Sequence, residues 1–139
     1  MRSLLVEFIG TFFLMLTICF PVLGGQADSA PFIFGTTLIA MIYAGRHISG
    51  AHYNPAVTIA LNVRGLVRGE VILGYVATQV AAAIFASLVS AFVVGVNHQI
   101  VEFSTLKILL VEFLGTFALM YVILLVATEE ALHDNQYYG

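Results

Sequence analysis

Asn54 closes the run Ser49-Gly50-Ala51-His52-Tyr53 and is followed at once by Pro55-Ala56-Val57-Thr58. Its amide supplies hydrogen-bond donors, and the backbone before it supplies carbonyl acceptors. Gly50 interrupts regular structure and Pro55 restrains the residue preceding it, so Ser49 to Tyr53 is expected to be extended or irregular. Asn54 is also a good helix N-cap and Pro55 a good first helical residue, which predicts a helix start here. Such a start carries about half a positive charge. Together these groups suit hydrogen bonding to neutral polar molecules and repulsion of cations, hydronium included. Capping a short helix is the plainer role of Asn54, and inside a membrane the two roles coincide.

Two carboxylates, Glu7 and Glu112, fall inside apolar stretches. An ionised group there costs at least ~2.5 kcal/mol at the bilayer centre and needs a partner. A position near the helix start lowers that cost. Two chemistries fit: a proton relay, or an anchor accepting hydrogen bonds from N–H groups that a neighbouring loop leaves unpaired. The anchor is favoured, because each Glu accompanies one expected loop. His47 and His52 flank the loop without carboxylate or thiol support and make a weak metal site. His52 is expected instead to lend a carbonyl to a path or to shape its inner mouth. His98 and His133 read as ordinary loop residues, and nothing calls for a cofactor.

The elements that must hold these groups follow from the apolar pattern. From Asn54 to Val63 the run is mostly apolar, and it ends at Arg64-Gly65 and Arg68-Gly69-Glu70. A helix of that length covers roughly 15 Å, half of a ~30 Å hydrocarbon core. It cannot span a bilayer, but it can enter from one side and stop at mid-depth. Such an element is tolerated only when buried in protein or lining a water-filled cavity, which argues for a pore or transporter. The chain is 60% hydrophobic and only 9% charged, and four longer stretches, about 4–23, 31–48, 71–96 and 106–127, are each near crossing length. The first follows Arg2 but is long for a signal peptide and lacks a small-x-small cleavage site, so it reads as a retained helix. Cys19, the single cysteine, lies within it as a core thiol and excludes an internal disulfide.

Basic residues orient the chain. With the N-terminus in the cytoplasm, Arg2, Arg46, Arg64 and Arg68 fall inside and only Lys107 outside. The half-helix then enters from the cytoplasmic side, residues 24–30 and roughly 97–105 are external loops, and the tail after Thr128 returns inside. The net charge of −3 says little about partners, and nothing suggests nucleic acid. Gly10, Gly35, Gly74, Gly115 and Ala81-Ala82-Ala83 are read as close helix-packing positions.

Leu5-Val6-Glu7-Phe8-Ile9-Gly10-Thr11-Phe12-Phe13-Leu14-Met15 recurs as Leu110-Val111-Glu112-Phe113-Leu114-Gly115-Thr116-Phe117-Ala118-Leu119-Met120, nine of eleven positions identical at an offset of 105. The copies open the first and fourth crossings, and three crossings between their starts make them run in opposite directions. This is the mark of an inverted-topology repeat with a site near the midplane between its halves. Residues 1–105 then form a first repeat of three crossings and a half-helix. Residues 106–139 form the start of a second repeat, a fourth crossing with a cytoplasmic tail. A second half-helix is expected near position 159, twenty residues beyond Gly139, so the chain reads as truncated.

The decapeptide around Asn54-Pro55-Ala56 resembles the first Asn-Pro-Ala signature of the aquaporin, or major intrinsic protein, family. Glu-Phe-x-Gly-Thr-Phe at the head of crossings one and four is similar to that family too, as are Phe34-Gly35 and Gly74-Tyr75-x-x-x-Gln79. The resemblance covers essentially the whole chain and implies an all-α inverted-repeat bundle, here four transmembrane helices and one re-entrant half-helix. It implies a homotetramer at full length, with one pore per subunit. It implies that Asn54 donates to the permeating molecule and that the carbonyls of Gly50, Ala51 and His52 form one half of the file. Glu7 would hold the loop, Glu112 its counterpart, and Phe34 would sit at the constriction, where a Phe resembles water-selective members. The second Asn-Pro-Ala, the constriction arginine and the fifth-helix filter residue would lie beyond Gly139.

The leading reading is a passive water channel in the cell (inner) membrane, with lipid and water or small neutral solutes as partners. A glycerol or small-solute facilitator and a truncated, non-conducting scaffold are the alternatives. An enzyme is not expected, since no activated nucleophile, metal triad or cofactor loop is present.

Overall fold

Helix α1 (Arg2–Leu23) is followed by a 3-10 turn (Ala27–Ser29) and by α2 (Ala30–Ser49), whose first turn carries Pro31. The short α3 (Pro55–Val63), α4 (Gly69–Val94) and α5 (Thr105–Ala127) complete the order. The structure is a computed structural model that describes residues 1–95 and 104–127. The connection expected at roughly 97–105 and the tail after Thr128 fall largely outside the described residues. Two compact units divide the chain, residues 1–97 with α1 to α4 and residues 98–138 with α5. Among the described residues four helices are long and apolar enough to cross a membrane, α1, α2 with its preceding turn, α4 and α5. No strand occurs among the described residues.

One boundary differs from expectation in a way that bears on the site. Ser49 is the last residue of α2 instead of the first of an irregular run. The helix stops one residue later at Gly50, whose φ of 88° only glycine adopts freely and whose N–H returns to the Arg46 carbonyl at 3.0 Å. Beyond it the chain is irregular and not extended, because Ala51 (φ 55°) and Tyr53 (φ 49°) are also left-handed.

Side-chain contacts fix the topology of the first unit. Ser3 Oγ donates to the Ile48 carbonyl at 3.2 Å, so the start of α1 meets the end of α2 and the two run antiparallel. Gln79 meets Glu7, and Phe85 lies against Phe8 and Phe12, so α4 runs parallel to α1. α3 returns to the level where α4 begins, since Asn62 Nδ2 donates to the Val67 carbonyl at 2.7 Å. Its other end lies against Gln79, which stands about ten residues or roughly 15 Å into α4. The half-helix therefore starts near mid-depth of the helices around it and ends at the side from which the chain entered.

The distribution of polarity is inverted relative to a water-soluble protein. The largest fully buried side chains are Gln79, Glu7, Thr58 and Ser90, while Leu5, Phe32, Leu73 and Phe92 stand outward. Polar groups converge on one another at the centre, and the exterior is fit for hydrocarbon.

Candidate functional site

Glu7 is fully buried, and both of its oxygens are occupied by donors. Oε1 accepts from Ser49 Oγ at 2.7 Å and from the His52 N–H at 3.0 Å. Oε2 accepts from the Tyr53 N–H at 2.7 Å and from Gln79 Nε2 at 2.9 Å. Ser49 Oγ in turn accepts the Ala51 N–H at 3.0 Å, and the Gly50 N–H closes α2. Every N–H from Gly50 to Tyr53 thus points into protein. Among the described residues no donor reaches the carbonyl oxygens of Gly50, Ala51, His52 or Tyr53. Four successive residues, Gly50 to Tyr53, have their N–H donors satisfied and their carbonyl acceptors open, and at membrane depth such acceptors need a polar molecule.

The left-handed Ala51 and Tyr53 cost roughly 1–2 kcal/mol each and are held by neighbours on three helices. The Tyr53 ring lies against α1 and α2 where each carries a glycine, so a Cβ on Gly10 or Gly45 would collide with it. Its hydroxyl donates to the Met41 carbonyl at 2.9 Å. From α4, Tyr75 donates its hydroxyl to the Ser49 carbonyl at 2.8 Å and lies against the His52 ring, centroids 5.1 Å apart. The packing role expected of the glycines is thereby revised. Gly10 makes room for a loop side chain, a Cβ on Gly35 would meet nothing within 4 Å, and one on Gly74 would meet only Leu4 at 3.5 Å.

At the tip of α3, Asn54 is extended (φ −151°, ψ 129°) and its Oδ1 accepts the Ala56 N–H at 2.7 Å. That bond fixes the amide, and Nδ2 has no partner among the described residues. Pro55 takes the first helical position. Thr58, one turn on, returns both its N–H and its hydroxyl to the Asn54 carbonyl, at 3.1 and 3.2 Å.

Residues 1–136 match the family model described as "Major intrinsic protein". The chain belongs to the major intrinsic protein family. It is 38% identical over 146 residues to "Aquaporin NIP1-4" of Oryza sativa, an alignment covering 94% of this chain and 52% of that relative. To "Aquaporin NIP1-1" of Arabidopsis thaliana it is 33% identical over 148 residues, 93% of this chain and 50% of the relative. "Aquaporin Z" of Photorhabdus laumondii is 40% identical over 97 residues, 64% of this chain and 42% of that protein. The chain spans about half the length of the first two. With this family and its apolar helices, it is an integral membrane protein of all-α, aquaporin-like fold.

Among the residues singled out by the sequence of this major intrinsic protein, Glu7, Gly50, Ala51, His52, Asn54, Pro55 and Ala56 come together around one loop. Phe34 stands apart, half-buried near the other end of α2 and roughly 22 Å along the helix axis from Ser49. Glu112 lies in the second unit, on α5. His47 is exposed at the end of α2, whereas the His52 ring is buried and bonded through Nδ1 to Thr58 Oγ1 at 3.1 Å. Reasoning from residue types missed the supporting members Ser49, Tyr53, Thr58, Tyr75 and Gln79. Gln79 carried a usable signal, since a carboxamide in the middle of an apolar crossing demands a polar partner.

Proposed function

We propose that this chain supplies the first repeat and the fourth helix of a passive channel for water. Residues 1–105 are the first repeat and 106–139 the beginning of an inverted second one. The observation that carries the reading is the polarity of the Gly50–Tyr53 backbone, with its N–H groups tied inward and its carbonyls open beside the free Nδ2 of Asn54. A row of acceptors ending at a fixed donor takes small neutral molecules in file, each accepting from Asn54 and donating to carbonyls. The half-helix N-terminus disfavours cations at the same point. Phe34 narrows the path on the far side of Asn54, which favours water over glycerol, and Glu7 anchors the loop with Glu112 as its counterpart. The positive-inside bias sets the N-terminus in the cytoplasm, and the assembled form is a homotetramer.

The test is osmotic shrinkage of vesicles carrying the purified protein, followed by stopped-flow scattering in sucrose and then in glycerol gradients. Water permeability well above that of empty vesicles, with glycerol unchanged, is the expected result. Raised glycerol permeability would make the protein a solute facilitator, and no rise in either would leave a non-conducting scaffold.

Asn54→Asp separates conduction from capping. Asp caps a helix about as well as Asn, so α3 is expected to keep its start at Pro55. It removes the Nδ2 donor and adds a negative charge, so water flux should fall sharply. Unchanged flux would exclude Asn54 as the donor to the permeant.

A further inference from the structure

The hydrogen bonds around Thr58 decide where the proton of His52 sits. Thr58 Oγ1 has three polar neighbours, the Asn54 carbonyl at 3.2 Å, Gln79 Nε2 at 3.1 Å and His52 Nδ1 at 3.1 Å. The carbonyl can only accept, so the one hydroxyl proton belongs to it; otherwise two oxygens would face each other with no hydrogen between them. Gln79 Nε2 faces the Glu7 carboxylate as well, which identifies it as the amide nitrogen and hence a donor to Oγ1. The remaining lone pair of Oγ1 is left for His52, only an Nδ1–H can fill it, and in the neutral ring that leaves Nε2 without a proton.

We propose that His52 is held as the Nδ1–H tautomer and that its bare Nε2 is a further acceptor at the entry to the carbonyl row. Nε2 stands about 3.0 Å from where a side chain on Gly50 would begin, at the exposed start of that row, and has no partner among the described residues. The imidazole thus extends four backbone acceptors by one side-chain acceptor, and its ligand is a small O–H or N–H donor, water above all. Glu7, Gln79 and Thr58 act through it as positioning residues. The role of Nε2 rests on the channel reading, whereas the tautomer does not.

Solid-state NMR of the protein labelled with 15N-histidine and reconstituted in lipid tests both parts, with the His52 signals assigned by their loss in His52→Gln. A pyrrole-like shift at Nδ1, a pyridine-like shift at Nε2 and a cross-peak from Nε2 to water protons are expected. Thr58→Val should remove the tautomer preference, while Thr58→Ser, which keeps the hydroxyl, should retain it and shows that the loop still folds. A pyrrole-like Nε2 in the wild type would overturn the assignment. The expected shifts without a water cross-peak would overturn the acceptor role alone. Vesicle flux, measured separately, reports on the channel reading, so the two can fail independently.

Discussion

With the proposed channel role, replacing Glu7 with Gln is expected to abolish water permeability and to loosen residues 50–53, even though the helices still insert. The carboxylate accepts four hydrogen bonds, two on each oxygen. A carboxamide keeps one acceptor oxygen and turns the other position into a donor. If the oxygen remains with Ser49 and His52, the new amide faces the Tyr53 N–H and Gln79 Nε2, donor against donor. Gln79 can rotate its amide, because its Oε1 is buried without a partner. Rotation would remove the donor facing Thr58 and still leave the Tyr53 N–H unpaired. At about 1.5–3 kcal/mol per hydrogen bond to a charged group, losing two such bonds costs about 3–6 kcal/mol, more than the loop can absorb with two residues already in left-handed backbone. Amide hydrogen exchange should accelerate at residues 51–53, and stopped-flow permeability should fall to that of empty vesicles. If Glu7 were a proton carrier, Glu7→Gln would keep the loop protected and lose only pH-dependent flux. That result would overturn the anchor.

How far this arrangement was legible in the sequence depends on the length scale of each signal. Asn54-Pro55 carries its own start signal, and the following apolar run is too short to cross a bilayer, so α3 was readable as a half-helix from local chemistry alone. The helices around it were readable to within about two residues from apolar length. Glu7 announced itself as a carboxylate in hydrocarbon, and the need for a partner followed from its cost. Its partners did not follow, because Ser49, His52, Tyr53 and Gln79 meet it only after three helices have packed, at sequence separations between 42 and 72. The left-handed Ala51 and Tyr53 were equally invisible, since neither residue type favours that conformation. The direction of the peptide groups, donors inward and acceptors open, belongs to the folded loop and is written in no single residue.

Adding one methyl group at position 10 is expected to cost nearly as much as losing the Tyr53 ring. The ring occupies the space in which a Cβ on Gly10 or Gly45 would sit. In Gly10→Ala the ring must leave or α1 must shift, and such overpacking costs typically ~1–3 kcal/mol. Displacing the ring also pulls the Tyr53 N–H from Glu7 Oε2 and its hydroxyl from the Met41 carbonyl, so flux should fall together with stability. Tyr53→Phe, which loses only the hydroxyl bond, should cost about 1 kcal/mol. Tyr53→Ala empties the socket and should cost about 3–5 kcal/mol, the range for deleting a packed aromatic side chain. The diagnostic combination is Gly10→Ala with Tyr53→Ala, measured as thermal unfolding in detergent. With the ring gone the new methyl group has room, so the double variant should be no less stable than Tyr53→Ala alone. Costs that simply add, within ~0.5 kcal/mol, would mean that the two positions do not share that space. The loop would then owe its shape to its hydrogen bonds with Glu7, Ser49 and Thr58 and not to the Tyr53 socket.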